Sequence, residues 1–326
     1  MSCGTRTVFH GTFTATEIAY YTYIYAKVST EYYQQVSSHT RAALLAGKSL
    51  SGMLAQILII FNLMDFRELN YITFSAIVAA TLWTILLPSA KKSIYFHQSE
   101  NSQESMEVRE KMKQAFSVMW KHFKESYSDK YVLRWSVWWA LATAGFLQVQ
   151  AYIQALWQEL GDYEPGYNGF VVTALTIFGV ITALCAGVLK FNWRLIGNLM
   201  LVLWNLLAGG VVLGGAVTDS LASSYICYII FGGLYQFMIT IGSSEIAKQI
   251  SKDSHGLVFG FNMLVALIVQ TLLTLIVVSG HLGPTLSVKM QYWIYGIYFI
   301  GLGALYIIFG LSSWFVSKKD LKKTYT

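Results

Sequence analysis

Long apolar segments, each of about 20 residues, are the feature that most limits how this chain can fold. A segment of that length crosses the hydrocarbon core of a membrane as an α-helix. Charged or turn-forming residues separate nine of them: Phe9–Val28, Ala42–Leu63, Leu69–Leu87, Trp135–Trp157, Gly169–Leu189, Leu195–Val217, Tyr225–Ala247, Leu257–Ser279 and Tyr292–Val316. Backbone polar groups in lipid need internal partners, and the segments lack the alternation of barrel strands. We therefore expect an all-α, multi-pass membrane protein with about nine transmembrane helices.

The composition supports this expectation and argues against other classes of protein. Only 12% of the 326 residues are charged and 55% are hydrophobic, so polar residues are too few to cover a soluble particle of this size. The lysines and arginines collect in a few connecting segments, whereas nucleic-acid binding needs a continuous basic face. Cys3, Cys185 and Cys227 are odd in number and far apart, which indicates neither a disulfide framework nor a zinc site. We expect no metal, no cofactor and no nucleic-acid partner.

The basic residues also predict the topology. They are concentrated in a connector at 89–134 and in a tail at 318–326, and cytoplasmic segments carry such an excess. Between the two, the connections alternate in charge as six crossings require, so the C-terminus is predicted to be cytoplasmic. Residues 1–88 would be the remnant of an N-terminal bundle with three spans, and 135–317 a C-terminal six-helix bundle. Many carriers have two six-helix halves, which suggests that three helices are absent from the first half, although a genuine nine-span protein remains an alternative.

The connector contains one segment with the pattern of an amphipathic helix. Its apolar residues recur at steps of three and four, with lysines between them: Met112, Phe116, Met119, Trp120, Phe123 and Tyr127. Such a helix can lie flat at the membrane interface, or it can pack against the bundle as a tether between the two halves. The sequence leaves both interpretations open.

Ionisable groups within the apolar segments are candidate functional residues, because a charge at that depth needs a partner or a wet cavity. Glu17 lies near the middle of the first segment, and Tyr20 and Tyr21 follow it on the same helical face. A carboxylate beside phenol rings suits a cationic ligand. The alternative is a structural carboxylate bonded to a neighbouring helix. Lys48 either extends back to the interface or points inward, where it could pair with Glu17.

Uncharged polar residues in the spans give weaker indications. Gln150 and Gln270 either bond between helices or line a cavity, and the sequence does not decide between these roles. Glu245 and Lys248 are spaced as an interfacial i,i+3 pair. The chain carries none of the common hydrolase, zinc-protease or phosphate-loop motifs, so we do not expect an enzyme.

Several runs of residues resemble the reduced folate and thiamine carrier family of animals, over nearly the whole chain. They are Thr14–Tyr25 (TATEIAYYTYIY), Ser93–His97 (SIYFH), Trp135–Phe146 (WSVWWALATAGF), Tyr167–Gly169 (YNG), Leu257–Asn262 (LVFGFN) and Gln270–Val278 (QTLLTLIVV). The resemblance implies a twelve-helix major-facilitator fold in the plasma membrane, of which the first helix here would be the fourth. It also implies vitamin transport by alternating access.

Within that family, the residues favour a cationic substrate. Folate carriers have basic residues at the positions that match Glu17, Gly232 and Gln270, and this chain has none there. Thiamine carriers resemble the chain at Glu17, Tyr20 and Gln270, which implies that the first two would hold the ligand. Lys48 and Ala151 depart from the family's pattern. We predict a thiamine carrier; the alternatives are a folate-like carrier, or a truncated, non-transporting partner of a full-length carrier, and a homo-oligomer is also possible.

Overall fold

A computed structural model describes residues 20, 23–25, 27–65, 67–86, 108–161, 168–251, 254–279 and 286–324. Every regular element among them is helical. The helices are α1 (Tyr33–Ile60), α2 (Leu69–Thr84), α3 (Val108–Ser128), α4 (Lys130–Glu159), α5 (Asn168–Val188), α6 (Trp193–Val217), α7 (Leu221–Gln249), α8 (His255–Leu273) and α9 (Val288–Thr324). A short 3₁₀ turn precedes α1, and a π-helical turn at Thr274–Val278 extends α8.

The apolar segments predicted from the sequence coincide with helices wherever the structure describes them. Eight of the nine correspond to α1, α2 and α4 to α9, and the segment Phe9–Val28 lies mostly outside the described residues. Six described helices are long and apolar enough to cross a membrane, namely α1 with its 3₁₀ turn, α5, α6, α7, α8 with its π turn, and α9 up to Gly310. The predicted all-α, multi-pass membrane fold is thereby confirmed.

Aromatic rings fill the centre of the bundle formed by α4, α6, α7 and α9. Each of these helices contributes one ring to a chain in which Trp138 meets Trp204, Trp204 meets Phe299, and Phe299 meets Phe231. The centroids are 5.2, 6.0 and 5.3 Å apart and the rings are nearly perpendicular. Such edge-to-face pairs contribute about 0.5–1.5 kcal/mol each beyond the area they bury. This core gives the C-terminal bundle a rigid centre.

Tyrosines of α9 fasten that helix along α4. The hydroxyl groups of Tyr292, Tyr298 and Tyr306 donate to the backbone carbonyls of Val149, Leu141 and Arg134, at 2.6, 2.8 and 2.7 Å. On its other side α9 crosses α6 where Gly209 faces Gly296, and a Cβ at Gly209 would lie 2.8 Å from the Gly296 carbonyl oxygen. Small residues at such crossings allow two backbones to approach closely.

The helix α1 packs against the C-terminal bundle, chiefly on α5 and also on α7. Its six buried residues all lie between Tyr33 and Ser49. The next helix, α2, has no buried residue at all. The N-terminal part of α1 is therefore the element that, together with α4, α7 and α8, encloses the space described next.

Candidate functional site

A cavity of about 210 Å³ lies between α1 on one side and α4, α7 and α8 on the other. Its described wall consists of Tyr25, Ser37, Arg41, Leu44, Leu45, Lys48, Trp139, Thr143, Phe146, Leu147, Gln150, Tyr235, Gln236, Thr240, Ser243, Phe259 and Met263. On α1 the lining residues recur at steps of four, three, one and three, and on α4 they follow the same pattern from Trp139 to Gln150. That spacing is one face of an α-helix, so each helix turns a single stripe toward the cavity.

Aromatic rings form much of this wall. Phe146 and Tyr235 stack with centroids 3.9 Å apart and an interplanar angle of 4°. Tyr25 and Phe259 are stacked with centroids at 6.1 Å, and Trp139 is tilted against Phe259 at 6.3 Å. The rings of three helices, α4, α7 and α8, and that of Tyr25, which precedes α1, thus line the space. Flat rings of this kind bind planar or cationic ligands through their faces.

Hydrogen bonds hold the polar lining residues in place. Thr143 and Tyr235 join their hydroxyl groups at 3.0 Å, and the Trp139 indole donates to Ser243 Oγ at 3.0 Å. Arg41 Nη1 donates to Gln236 Oε1 at 3.3 Å, which links α1 to α7 across the cavity. The polar groups are therefore fixed before any ligand enters, which reduces the entropic cost of binding.

The described wall carries two positive charges, Arg41 and Lys48. They are seven residues apart on α1, about two helical turns, and so lie on the same face at two depths. No carboxylate occurs among the lining residues that the structure describes. Lys48 forms no ion pair with any described residue, whereas Arg41 has contacts beyond Gln236. Of the two orientations considered for Lys48, its place on the wall favours the inward one.

One end of the cavity, near the start of α1, is sealed by rings. Tyr25, Tyr33 and His255 meet with centroids 5.0 to 5.7 Å apart, and their exposed fractions are 3%, 0% and 0%. The His255 ring also contacts the Ala247 carbonyl oxygen at 3.1 Å through Nε2. We call this the closed end. Lys48 and Gln150, at the other end of the lining stripes, are both exposed, and this is the open end.

Beside these rings, a polar clamp at the closed end ties α1 to α5 and α7. Gln34 Nε2 donates to the carbonyls of Ala186 and Leu189 at 2.6 and 2.8 Å, where α5 ends. Lys248 donates to Gln34 Oε1 at 3.4 Å and forms a 2.6 Å ion pair with Glu245. The last carbonyls of a helix lack partners within it, so an amide supplied by α1 satisfies groups that burial would otherwise leave unpaired.

The ion pair in the clamp is shielded from solvent. The Glu245 side chain is 6% exposed, and its second oxygen accepts from the Tyr131 hydroxyl at 2.6 Å. The i,i+3 pairing of Glu245 with Lys248 agrees with the spacing in the sequence, but its burial at a contact between helices was not predicted. Disrupting a buried ion pair of this kind costs much free energy, because removing either partner leaves the other charge uncompensated.

The structure brings only some of the predicted site residues to the cavity. Gln150 lines it at the open end. Tyr20 is 52% exposed and Gln270 is half-buried, and neither is among the described lining residues. Glu17 and Tyr21 lie outside the described residues, so their predicted roles stay predictions.

Other lining residues were not predicted from the sequence. The most informative is Arg41, which lies just before the apolar segment assigned to this helix. Its spacing of seven residues from Lys48 was the available signal that both share a face. Among the described residues, no group of three histidine, cysteine or acidic side chains could hold a metal ion.

Comparison with known proteins identifies the family. The reduced folate carrier family matches residues 2–294. Thiamine transporter 2 of Homo sapiens is 33% identical over 345 residues, covering 92% of this chain and 69% of the relative. Thiamine transporter 1 of Homo sapiens is 32% identical, covering 96% and 71%, and folate-like transporter 3 of Caenorhabditis elegans is 34% identical, covering 93% and 74%. These relatives are membrane transporters of vitamins and not enzymes. The chain belongs to the reduced folate carrier family.

Proposed function

We propose that this chain carries thiamine across the plasma membrane by alternating access, in which two helix bundles rock about a central site. The observation that supports this most directly is the ring-lined cavity between α1 and the C-terminal bundle. Thiamine is a cation with two flat aromatic rings joined by a methylene group, and the faces of Tyr25, Trp139 and Phe259 suit both the rings and the charge. The hydroxyl and amide groups of Thr143 and Gln236 can bond its polar edge.

A carboxylate completes the proposed site. We assign Glu17 as the partner of the ligand's positive charge, with Tyr20 and Tyr21 beside it and Gln150 as polar lining. Gln270 is not among the described lining residues, and its contact with the ligand stays a prediction. The support is the sequence run around Glu17, together with names of relatives that describe thiamine transport. A negative charge there would attract a cation and repel the glutamate tail of a folate.

A folate-like carrier is a second candidate, favoured by a different observation. Arg41 and Lys48 give the described wall two positive charges, and an anionic ligand would compensate them. The relatives include folate-like transporters at an identity similar to that of the thiamine transporters. The two candidates therefore differ in which charge of the cavity governs selection, that of Glu17 or that of Lys48.

We also propose an orientation. Cytoplasmic segments carry the positive excess, which puts the connector before α4 and the C-terminal tail in the cytoplasm. The closed end, which lies near the starts of α1 and α4, would then face the cytoplasm. In this arrangement the cavity would admit substrate from outside, and the polar clamp would have to open for release.

Uptake and binding of labelled thiamine and labelled folate distinguish these candidates. The full chain is expressed in cells and also purified in lipid nanodiscs, with Glu17→Gln, Lys48→Gln and, as a control away from the cavity, Lys121→Gln. We expect wild-type protein to bind thiamine, and Glu17→Gln to weaken that binding tenfold or more, about 1.4 kcal/mol. Lys48→Gln should leave thiamine binding unchanged or improve it, and Lys121→Gln should change the binding of neither ligand.

Two results would contradict the thiamine proposal. Thiamine binding that survives Glu17→Gln unchanged would remove the carboxylate from the site. Folate binding that is lost in Lys48→Gln, without any binding of thiamine to the wild type, would establish the second candidate instead. Correct folding of each variant is checked by its melting temperature in the same nanodiscs.

A further inference from the structure

The C-terminal half of the helix α3 packs against the bundle. The Phe123 and Tyr127 rings lie 4.9 and 5.6 Å from the ring of Phe261, which is on α8. The Tyr127 hydroxyl also donates to Asn262 Oδ1 at 2.7 Å. These contacts hold the end of α3 against the first two turns of α8.

Phe261 is the first residue of an apolar stripe on the outside of α8. Leu264, Ile268 and Leu272 follow it at steps of three and four, and the exposed fractions of the four residues are 38%, 54%, 51% and 47%. In a membrane transporter, an exposed apolar stripe of this length faces the acyl chains. Since α3 packs on the first residue of that stripe, it lies at the level where α8 enters the bilayer.

The apolar face of α3 continues beyond this contact. Trp120 and Phe116 are about one and two turns before Phe123 on the same side of the helix, and they are 50% and 62% exposed. The Trp120 ring stacks on Phe123 with centroids at 5.4 Å and an interplanar angle of 6°. One unbroken aromatic face therefore runs from the lipid-facing stripe of α8 to a part of α3 that no described residue covers.

Positive charges lie along one edge of this aromatic face. Lys113 and Lys124 are exposed, and at 100° per residue both lie beside Trp120. The Lys124 ammonium is 5.7 Å from the centroid of the Trp120 ring. Glu125, by contrast, is nine residues after Phe116 and so lies on the opposite side, where it pairs with Lys121 at 3.9 Å. Lysines at the edge of an apolar face can reach lipid phosphates while their stems stay on the rings.

We propose that α3 is a membrane-surface helix that binds anionic lipids, with Phe116 and Trp120 at the boundary of the acyl chains and Lys113 and Lys124 on the headgroup phosphates. The partner is the bilayer that surrounds the protein, because the apolar face is continuous with the lipid-facing stripe and its charged border is basic. This inference needs only the family assignment and holds for either candidate substrate.

Lipid-borne quenching of a fluorophore on α3 tests the proposal. The three cysteines are replaced by serine, and a single cysteine is introduced as Phe116→Cys, or as Glu125→Cys on the opposite face as the matched control. Each full-length protein is labelled with an environment-sensitive dye. It is then reconstituted in phosphatidylcholine vesicles with and without phosphatidylserine, and spin-labelled lipid serves as the quencher.

We expect strong quenching and a blue-shifted emission at position 116, and little of either at position 125. Phosphatidylserine should increase the difference. Because one lysine near an anionic surface contributes about a fivefold gain in binding, replacing Lys113 and Lys124 by glutamine should lower the ratio of docked to undocked helix by up to about thirtyfold. Trp120 remains in these variants, so their behaviour isolates the lysines from the apolar contact.

Three outcomes would overturn the inference. Water-like emission at position 116 would show that the aromatic face is not in lipid, and equal quenching at both positions would show that the helix does not turn that face toward the bilayer. Indifference to phosphatidylserine would remove the anionic headgroups from the proposal. Cross-linking of position 116 to a second copy of the chain would assign the face to a protein contact instead. Melting temperatures of the labelled proteins identify any variant in which the bundle itself is disturbed.

Discussion

The two halves of α1 differ both in hydrophobic character and in what surrounds them. From Tyr33 to Ser49 the helix buries six residues, and its amide and hydroxyl groups bond to α5. From Leu50 onward the large apolar residues are exposed: Leu50, Met53, Leu54, Ile57 and Ile60 range from 42% to 68%. The same helix is thus held by polar bonds at the closed end and carries an exposed apolar surface beyond the open end.

This difference indicates which contacts of α1 would have to change if the closed end opened in a transport cycle. Polar bonds of fixed geometry hold the first half, and these bonds must break if the closed end opens. Non-directional apolar contact, which can be exchanged among lipid and protein surfaces at little cost, suits the second half. The predictions below compare residues of the two kinds by matched substitutions.

The largest difference in stability is expected between alanine variants of two adjacent tyrosines at the start of α1. Tyr33 is fully buried and Tyr32 is 53% exposed. Tyr33→Ala should lower the free energy of unfolding by about 3–5 kcal/mol, the usual cost of removing a buried ring, and Tyr32→Ala by less than about 1 kcal/mol. Thermal melting in nanodiscs measures both. Similar losses in the two variants would mean that the closed end is not packed as described.

A conservative substitution sharpens this comparison. The Tyr33 hydroxyl is buried and has no hydrogen-bond partner among the described residues. Tyr33→Phe removes an unpaired polar atom and keeps the ring, so stability should be unchanged or slightly increased. A clear loss of stability in Tyr33→Phe would mean that the hydroxyl bonds to a group outside the described residues.

Two glycines provide the second comparison. A Cβ at Gly187 would lie 2.4 Å from Ser38 Oγ and 2.6 Å from Ser38 Cβ, whereas a Cβ at Gly47 would meet nothing within 4 Å. Gly187→Ala should therefore separate α5 from α1 and destabilise the protein by about 1–3 kcal/mol. Gly47→Ala should be neutral or slightly stabilising, because alanine favours the helix. Equal melting temperatures for the two variants would contradict the tight contact.

Polar substitution at the clamp is expected to have a similar effect on stability, and in addition to make the closed end more accessible to solvent. Gln34→Ala removes two bonds to α5 and the contact with Lys248, which should cost about 1–3 kcal/mol. The adjacent Gln35 is exposed and serves as the control. With a cysteine at Ser37 in a cysteine-free background, Gln34→Ala should speed labelling by a membrane-impermeant thiol reagent, and Gln35→Ala should not. Unchanged labelling in both would argue against the clamp as a barrier.

The helices could be predicted from the sequence more fully than the site. The apolar segments located α4 to α8 to within about six residues at each end, because a helix that crosses the hydrocarbon core needs a long apolar run. The last helix, α9, continues past the predicted end at Val316 to Thr324. The start of α1 differs from the prediction, because the apolar segment begins at Ala42 and the helix begins at Tyr33. Residues such as Ser37 and Ser38 are polar yet buried, because they face protein and not lipid, and hydropathy cannot distinguish the two surroundings.

The same limitation explains which site residues were found. Arg41 precedes the predicted span, so it was not considered a lining residue. Gln148 and Gln150 are two positions apart on α4, and their environments are opposite. Gln148 is fully buried and bonds to Tyr295 and Thr274, whereas Gln150 faces the cavity. Which amide faces inward depends on the rotation of the helix about its axis, and that rotation is set by packing that a single sequence does not reveal.

The smallest effect is expected for the ion pair at the opposite end of the bundle from the clamp. Asp219 accepts from the Lys289 ammonium at 2.8 Å in the exposed connection between α6 and α7. The hydrogen bond and charge of Lys289 lower the pKa of the Asp219 carboxyl below its usual value. The pair's contribution to stability is therefore complete above the unfolded-state pKa of about 4, and it is lost as the pH falls through the lower folded-state pKa.

Asp219→Asn should lower the melting temperature at pH 7 by no more than about 2 °C, because exposed pairs contribute little. Once the pH has fallen through the lowered folded-state pKa, the variant and the wild type should converge. If the difference instead persisted in acid, its origin would be the packing of the side chain and not its charge.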